Sequence, residues 1–206
     1  MPDNFYTSAY RKAERPEDLP WHREETPEWL ARSAAKRAKP GRFLDMGCWT
    51  GVFSVQMAQK GWEVTAVDFT QEALNMSEDR ARAASVKVNF VLADVLTWEG
   101  NGTFDIVFDS GCMHSLNPPD RPKYKSQLLK WLAPGADYVL IHFGRRHILD
   151  WRPMGPRRRN RRETLAELSP ELTEINYKEH LEKAPLPIGP TFLICEYWLQ
   201  KKKDSG

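Results

Sequence analysis

Short apolar runs alternate along this chain with stretches whose apolar residues recur every three or four positions. Arg42-Phe43-Leu44-Asp45-Met46 reads as a first strand. Val52, Val55 and Ala58 then share one face of a helix over 51–60, which Gly61 stops. A second strand follows at 63–67. Thr70 is placed to cap a helix over 71–84, with Glu72 in its first turn. Strands are expected at 86–92 and 104–108. Tyr124, Leu128, Trp131 and Leu132 line one face of a helix over 121–132, which Pro134-Gly135 ends. A strand at 138–143, a helix at 161–168 and strands at 172–179 and 192–200 complete the series. This alternation predicts an α/β fold: seven strands, mostly parallel, helices on both faces and an antiparallel C-terminal edge.

The first 34 residues differ in texture. They carry Pro16, Pro20 and Pro27, many charges, and the aromatics Phe5, Tyr6, Tyr10, Trp21 and Trp29. Pro27 suits the first turn of a helix through Trp29, Leu30 and Ala34. The expected organisation is an N-terminal arm and helix over 1–34, a lid over the site, and one α/β domain over 35–206. A chain of 206 residues fits that size.

Composition narrows the function classes. With 41% hydrophobic and 28% charged residues, the chain reads as a soluble globular protein. The N-terminus is polar and no apolar run approaches bilayer length, so no membrane partner is expected. Cys48, Cys112 and Cys195 are isolated, which argues against a disulfide framework or a metal site and for a cytoplasmic location. A net charge of +2 gives no general mandate for nucleic acid. The run Arg157, Arg158, Arg159, Arg161 and Arg162 reads as a solvated face.

The central motif is Leu44-Asp45-Met46-Gly47-Cys48-Trp49-Thr50-Gly51, between the first strand and the next helix. Gly47 and Gly51 permit a tight turn and close approach of a ligand to the backbone. Such crevices lie at the carboxyl ends of the strands in open α/β sheets. Asp45 stands two residues before the first glycine, where it would repel a pyrophosphate and suit an ammonium group. Asp68 ends the second strand, 23 residues after Asp45, where a carboxylate can accept from both ribose hydroxyls. Asp94 and Val95 follow the third strand, placed to read an adenine edge. Asp109 and Ser110 close the fourth.

The stretch 42–143, including Leu132-Ala133-Pro134-Gly135, resembles the class I S-adenosylmethionine-dependent methyltransferases, whose fold is Rossmann-like. Leu19-Pro20-Trp21-His22, Asp109-Ser110-Gly111-Cys112-Met113-His114 and Arg121-Pro122-Lys123-Tyr124 are similar to the thiopurine and tellurite-resistance branch. Gly155-Pro156-Arg157-Arg158 and Glu196-Tyr197-Trp198 are similar to small members near it. The resemblance implies S-adenosyl-L-methionine as cofactor, with Gly47 and Gly51 facing its methionine part and Asp45 steering its amino group. Asp68 and Phe69 would hold ribose and adenine, and Asp94 and Val95 the adenine edge. Asp109 and Ser110 would sit beside the methionine chain, and Trp21 would belong to the lid. No metal is implied.

Acceptors in that branch are small and soft, so the expected reaction is methyl transfer to a thiol or similar nucleophile. The alternative is an O- or N-methyltransferase of a metabolite with His114 as catalytic base; His142 is the weaker candidate. A nucleic-acid methyltransferase is the least favoured reading. Asn117-Pro118-Pro119-Asp120 lacks the aromatic fourth residue that would stack on a flipped base, and reads as a turn. Cys48, Cys112 and His114 form a rarer option, a soft metal or metalloid held in the crevice, against the plainer one of small buried residues.

Overall fold

A computed structural model describes residues 5–13, 15–19, 21–146, 150, 157–183 and 191–203. Residues 1–4, Pro20, Gly155 and Pro156 lie outside the described residues, as do the side chains of Phe5 and Tyr6.

The strands are β1 (Arg42–Met46), β2 (Glu63–Asp68), β3 (Asn89–Leu92), β4 (Phe104–Ser110), β5 (Leu132–Gly144), β6 (Leu172–Lys183) and β7 (Thr191–Lys201). They form one sheet in the order β3-β2-β1-β4-β5-β7-β6. The first five run parallel; β7 pairs antiparallel with both β5 and β6. The mostly parallel α/β sheet expected from the pattern, and the Rossmann-like class that the resemblance implies, are the ones observed.

Helices α2 (Glu28–Ala35), α3 (Val52–Gln59) and α4 (Gln71–Ala83) cover one face, and α6 (Arg121–Trp131) and α7 (Arg161–Leu168) the other. Alternate residues of each strand serve the two layers. On β4, Ile106 and Phe108 pack with Leu30, Phe53 and Met57, whereas Val107 packs with Tyr124, Leu128 and Trp131; Phe104, before the register shift, joins the side of Val107. Asp137 of β5 fastens α2 to the sheet: it accepts from Ser33 Oγ at 2.6 Å and Lys36 Nζ at 2.8 Å. No helix among the described residues is long and apolar enough to cross a membrane.

Four local departures have physical causes. Phe104 pairs with Leu132 and Ile106 with Asp137, so β5 carries extra residues between the two pairs. That bulge absorbs Pro134 and Gly135 inside β5, which starts directly after α6, so the expected helix ends at Trp131 with no separate turn before the strand. Pro27 stands at the N-cap of α2, one position before its first turn. Thr70 is the N-cap residue of α4 as expected, but its side chain makes no capping hydrogen bond; its backbone N–H donates to Asp68 Oδ1 at 2.9 Å. The arm contains a helix, α1 (Phe5–Lys12), followed by a 3-10 turn at Pro16–Asp18. Helix α1 lies against α4, where Tyr10, Leu19 and Trp21 pack with Ala73 and Met76.

Candidate functional site

The carboxyl ends of the five parallel strands share one edge of the sheet. Met46 pairs with Val67 on one side and Asp109 on the other, so the loops after β1, β2 and β4 emerge together. The sheet order reverses between β1 and β4, the switch point where α/β sheets bind ligands.

The loop after β1 holds a left-handed backbone at Gly47 (φ 66°) and Gly51 (φ 71°). A Cβ on Gly51 would stand 2.8 Å from Ser77 Cβ and 3.0 Å from Ser77 Cα, so only glycine fits against α4. A Cβ on Gly47 would meet Cys112 Sγ at 2.7 Å. Helix α4 braces the loop from behind: Ser77 Oγ donates to Trp49 O at 2.9 Å, and Arg80 Nε to Thr50 O at 3.0 Å.

Three buried carboxylates line this edge. Asp45 accepts from Ser54 Oγ at 2.5 Å, and burial, together with the charges of Asp68 and Asp109, pushes its pKa up to about 7. Asp68 accepts from Trp49 N at 3.2 Å as well as Thr70 N, and burial raises it to about 6. Burial also raises Asp109, although more donors surround it. Gly111 N, Cys112 N and Met113 N donate to Asp109 at 3.0, 2.7 and 3.0 Å. The hydroxyls of Tyr124 and Tyr138 donate to it too. Asp109 thus caps a short helix, α5 (Cys112–Ser115), and ties it to α6 and β5. Asp94 is half-buried and accepts from Leu96 N at 2.8 Å, with Val95 buried beside it. Ser110 and Phe69 are half-buried at the ends of their strands.

On the side of β4 away from β1, the aromatic rings line up. His114 lies 5.0 Å from Phe143, and Phe143 4.8 Å from Phe192, centroid to centroid. A Cβ on Gly111 would touch His114 Nε2 at 3.3 Å and Trp49 at 3.8 Å, so this wall reaches the glycine loop. Phe143 N donates to His114 Nδ1 at 3.4 Å, which leaves the ring proton on Nε2. Burial, reinforced by His142, drives the His114 pKa down to about 3. His114 is therefore a neutral imidazole at pH 7. His142 is engaged with Thr164 Oγ1 and its neighbouring carbonyl, each at 3.0 Å.

Other expectations separate cleanly. Cys48 and Cys112 are thiols whose pKa values burial pushes well up, and they do not join His114 in a metal-ligating group among the described residues. The arginine run divides: Arg158 and Arg159 are drawn in by Asp150 and Glu167, whereas Arg157, Arg161 and Arg162 are exposed as expected of a solvated face, with Arg161 paired to Glu174. Pro118–Asp120 forms the 3-10 turn into α6 that the NPPD segment predicts. Trp21 packs edge-on to Tyr10 at 5.7 Å. The arm also reaches α4: the Glu24 carboxylate is 3.8 Å from Nη1 of Arg80, the residue whose Nε holds Thr50 O. Sequence reasoning missed Ser54, Ser77, Tyr124, Tyr138 and Phe192, whose roles arise only when distant elements meet.

Residues 43–135 match the family described as a methyltransferase domain. The 2-heptyl-1-hydroxyquinolin-4(1H)-one methyltransferase of Mycobacteroides abscessus is 26% identical over 146 residues, 68% of this chain and 64% of that protein. TehB from Haemophilus influenzae shares the fold with TM-score 0.71 at 16% identity, over 86% of this chain and 63% of that one. The 1,6-didemethyltoxoflavin-N1-methyltransferase of Burkholderia thailandensis, solved with its substrate and S-adenosylhomocysteine, gives TM-score 0.67 at 20% identity, over 96% and 86%. The chain spans 64%, 36% and 50% of three curated relatives. The fold is that of the class I, Rossmann-like methyltransferases. Residues 43–135 are thus similar to a methyltransferase domain, and the chain shares its fold with methyltransferases of known structure.

Proposed function

We propose that this protein transfers the methyl group of S-adenosylmethionine to a small-molecule acceptor, preferring a thiol or another soft nucleophile. The carrying observation is that Asp45, Asp68 and Asp109 stand within electrostatic reach of one another at the ends of β1, β2 and β4, beside the Gly47–Gly51 loop, in a stretch that matches a methyltransferase domain. Concentrated carboxylate charge suits a ligand bearing an ammonium and a sulfonium, and opposes a pyrophosphate.

Gly47 and Gly51 would face the methionine part of the cofactor, and Asp45 its amino group. Asp68 and Phe69 would hold ribose and adenine, with Asp94 and Val95 at the adenine edge. Ser110 would approach the methionine chain directly and Asp109 through the backbone it fixes. The cofactor supplies an already activated methyl group, so the chain's task is alignment and exclusion of water. The arm over 1–34 would act as the lid, with Trp21 as its aromatic contact.

The acceptor preference rests on His114. A neutral imidazole with its proton on Nε2 is a hydrogen-bond donor and a poor general base near pH 7. An acceptor that ionises on its own satisfies that site: a thiol has a pKa of about 8.5, far below that of an alcohol. The ring wall of His114, Phe143 and Phe192 favours a flat acceptor. The second reading, O- or N-methylation of a heteroaromatic metabolite, is supported by the quinolone and toxoflavin enzymes it resembles. A panel of thiols, phenols, heteroaromatic amines and alcohols, read as S-adenosylhomocysteine formed, decides between them. With a thiol, the rate should rise with pH towards the thiol pKa, and His114→Ala should cost less than about tenfold in kcat. A loss of about 10²–10⁴-fold with oxygen acceptors preferred would restore His114 as a base.

Cofactor affinity should depend on pH. Asp45 and Asp68 stand near 7 and 6 in the free protein. A bound cation favours their ionised forms, so binding releases protons and weakens as pH falls below these values. Affinity for S-adenosylmethionine should rise about tenfold or more from pH 5.5 to 7.5. The free protein shows the opposite trend. Both pKa values lie above the unfolded value of 3.8, so these groups' contribution to stability declines as pH rises from about 4 to 7. Calorimetry in buffers of different ionisation enthalpy measures the proton release; a flat affinity across that range would contradict it. In the same titration, unchanged affinity of Trp21→Ala would remove the arm from the site.

A further inference from the structure

We propose that Glu17, His22 and Glu24 form a binding site for a divalent transition-metal ion, one that staples the N-terminal arm. Glu17 lies in the 3-10 turn at Pro16–Asp18, His22 N donates to Leu19 O at 3.0 Å in the turn that follows, and a ligand atom of Glu17 comes close to those of His22 and Glu24. One ligand atom from each residue lies within 4.8 Å of the other two, and His22 Nε2 is 3.6 Å from Glu24 Oε1. Among the described residues this is the one histidine, cysteine or carboxylate group that converges so.

The second observation concerns His22 itself. Its side chain is 10% exposed, and both ring nitrogens are buried without a hydrogen-bond partner. Orphaned buried nitrogens are costly, and native structures satisfy nearly all such groups. A metal ion bound to one nitrogen removes that cost and orients the ring.

The donor set fixes the class of ion. One imidazole and two carboxylates carry two negative charges, matching a divalent cation, and the mixture of nitrogen and oxygen suits Zn²⁺ or its first-row neighbours. Donors around a tetrahedral zinc stand about 3.3 Å apart at its usual bond lengths, so small rotations of two exposed glutamates close the site. Water would fill any remaining position.

The position gives the ion a structural role. Leu19 and Trp21, between the ligands, are the residues that pack on α4. Glu24 also accepts through its carbonyl from Gln56 Nε2 of α3 at 2.6 Å, and its carboxylate faces Arg80, which holds Thr50 O. Fixing Glu24 and His22 to Glu17 therefore secures the arm against both helices behind the glycine loop. This site needs no cofactor and does not depend on the methyltransferase reading.

The test is titration of chelator-dialysed full-length protein with ZnCl₂, and separately MnCl₂, by calorimetry against a competing chelator. Wild type should bind one zinc ion per chain, more tightly than manganese, and gain melting temperature. His22→Ala should lose zinc affinity by more than about 100-fold, beyond the 10–100-fold typical of an outer-shell partner. Glu17→Gln, an exposed change that spares the packing, should also weaken binding; it carries the test if His22→Ala fails to fold. His180→Ala should leave binding unchanged, although Glu182 and Glu196 flank His180 at 3.7 and 3.6 Å. Absence of a stoichiometric ion, or wild-type affinity in both His22→Ala and Glu17→Gln, would overturn the proposal.

Discussion

Asp109→Ala should lower stability by about 4 kcal/mol or more, a loss reserved for disrupted buried networks. The carboxylate is fully buried and accepts from three backbone N–H groups and two tyrosine hydroxyls. Alanine leaves these donors facing a void, and each unsatisfied buried group costs about 1–3 kcal/mol before relaxation. One of the Tyr124 and Tyr138 hydroxyls can still donate to the other, 2.8 Å away, which leaves a single O–H without an acceptor. The three N–H groups at the start of α5 have no such recourse. Melting should fall by roughly 10 °C for a domain of this size. Asp109→Asn keeps one acceptor oxygen and should lose less. Thermal and urea unfolding check both, and a melting temperature within about 3 °C of wild type for the alanine variant would refute the assignment. The consequence extends to the site, because α5 carries His114.

Gly51→Val should weaken cofactor binding by about 30–1000-fold, equivalent to about 2–4 kcal/mol. Two independent penalties combine. A branched side chain at φ 71° is strained. Its Cβ also meets Ser77 Cβ and the Ser77 backbone at 2.8 and 3.0 Å, where no flexible chain end can yield. The loop must withdraw from α4, taking Trp49 and Thr50 with it, and those are the residues α4 holds in place. Gly51→Ala carries the same backbone penalty with less bulk and should fall between. Titration with S-adenosylhomocysteine, alongside circular dichroism to verify folding, measures both. Wild-type affinity in Gly51→Val would mean that the loop is no part of the ligand site.

The parallel core was legible because its signals are local. Strand runs such as Arg42–Met46 and Glu63–Asp68 and the glycines after β1 report themselves within a few residues. The two late strands were legible as a pair for the same reason. What was not legible depends on long-range geometry. Pro134 and Gly135 carry a turn signature, yet the demand of β4 for a partner at both ends turns them into a bulge. Helix α5 has four residues, too few for periodicity, and exists because Asp109 collects its N–H groups. Helix α1 is short and polar, and is held by packing on α4.

The site shows the same division. Asp45, Asp68 and the two glycines were identifiable by spacing, and the sheet brings them together. The electrostatic state of each was not, since burial and mutual repulsion set it. His114 reads in sequence as an available base because it follows a strand near the crevice. In the fold, burial and the Phe143 N–H make it a neutral donor. The Glu17, His22 and Glu24 grouping was invisible because a turn, not a motif spacing, assembles it.

Calorimetric titration of the wild-type protein with S-adenosylhomocysteine at pH 7.5 tests the central claim most directly. The predicted result is saturable one-to-one binding with a matching rise in melting temperature, as ligand linkage requires. Absence of binding heat and of any thermal shift would contradict the account of the Gly47–Gly51 loop and its carboxylates as a cofactor site.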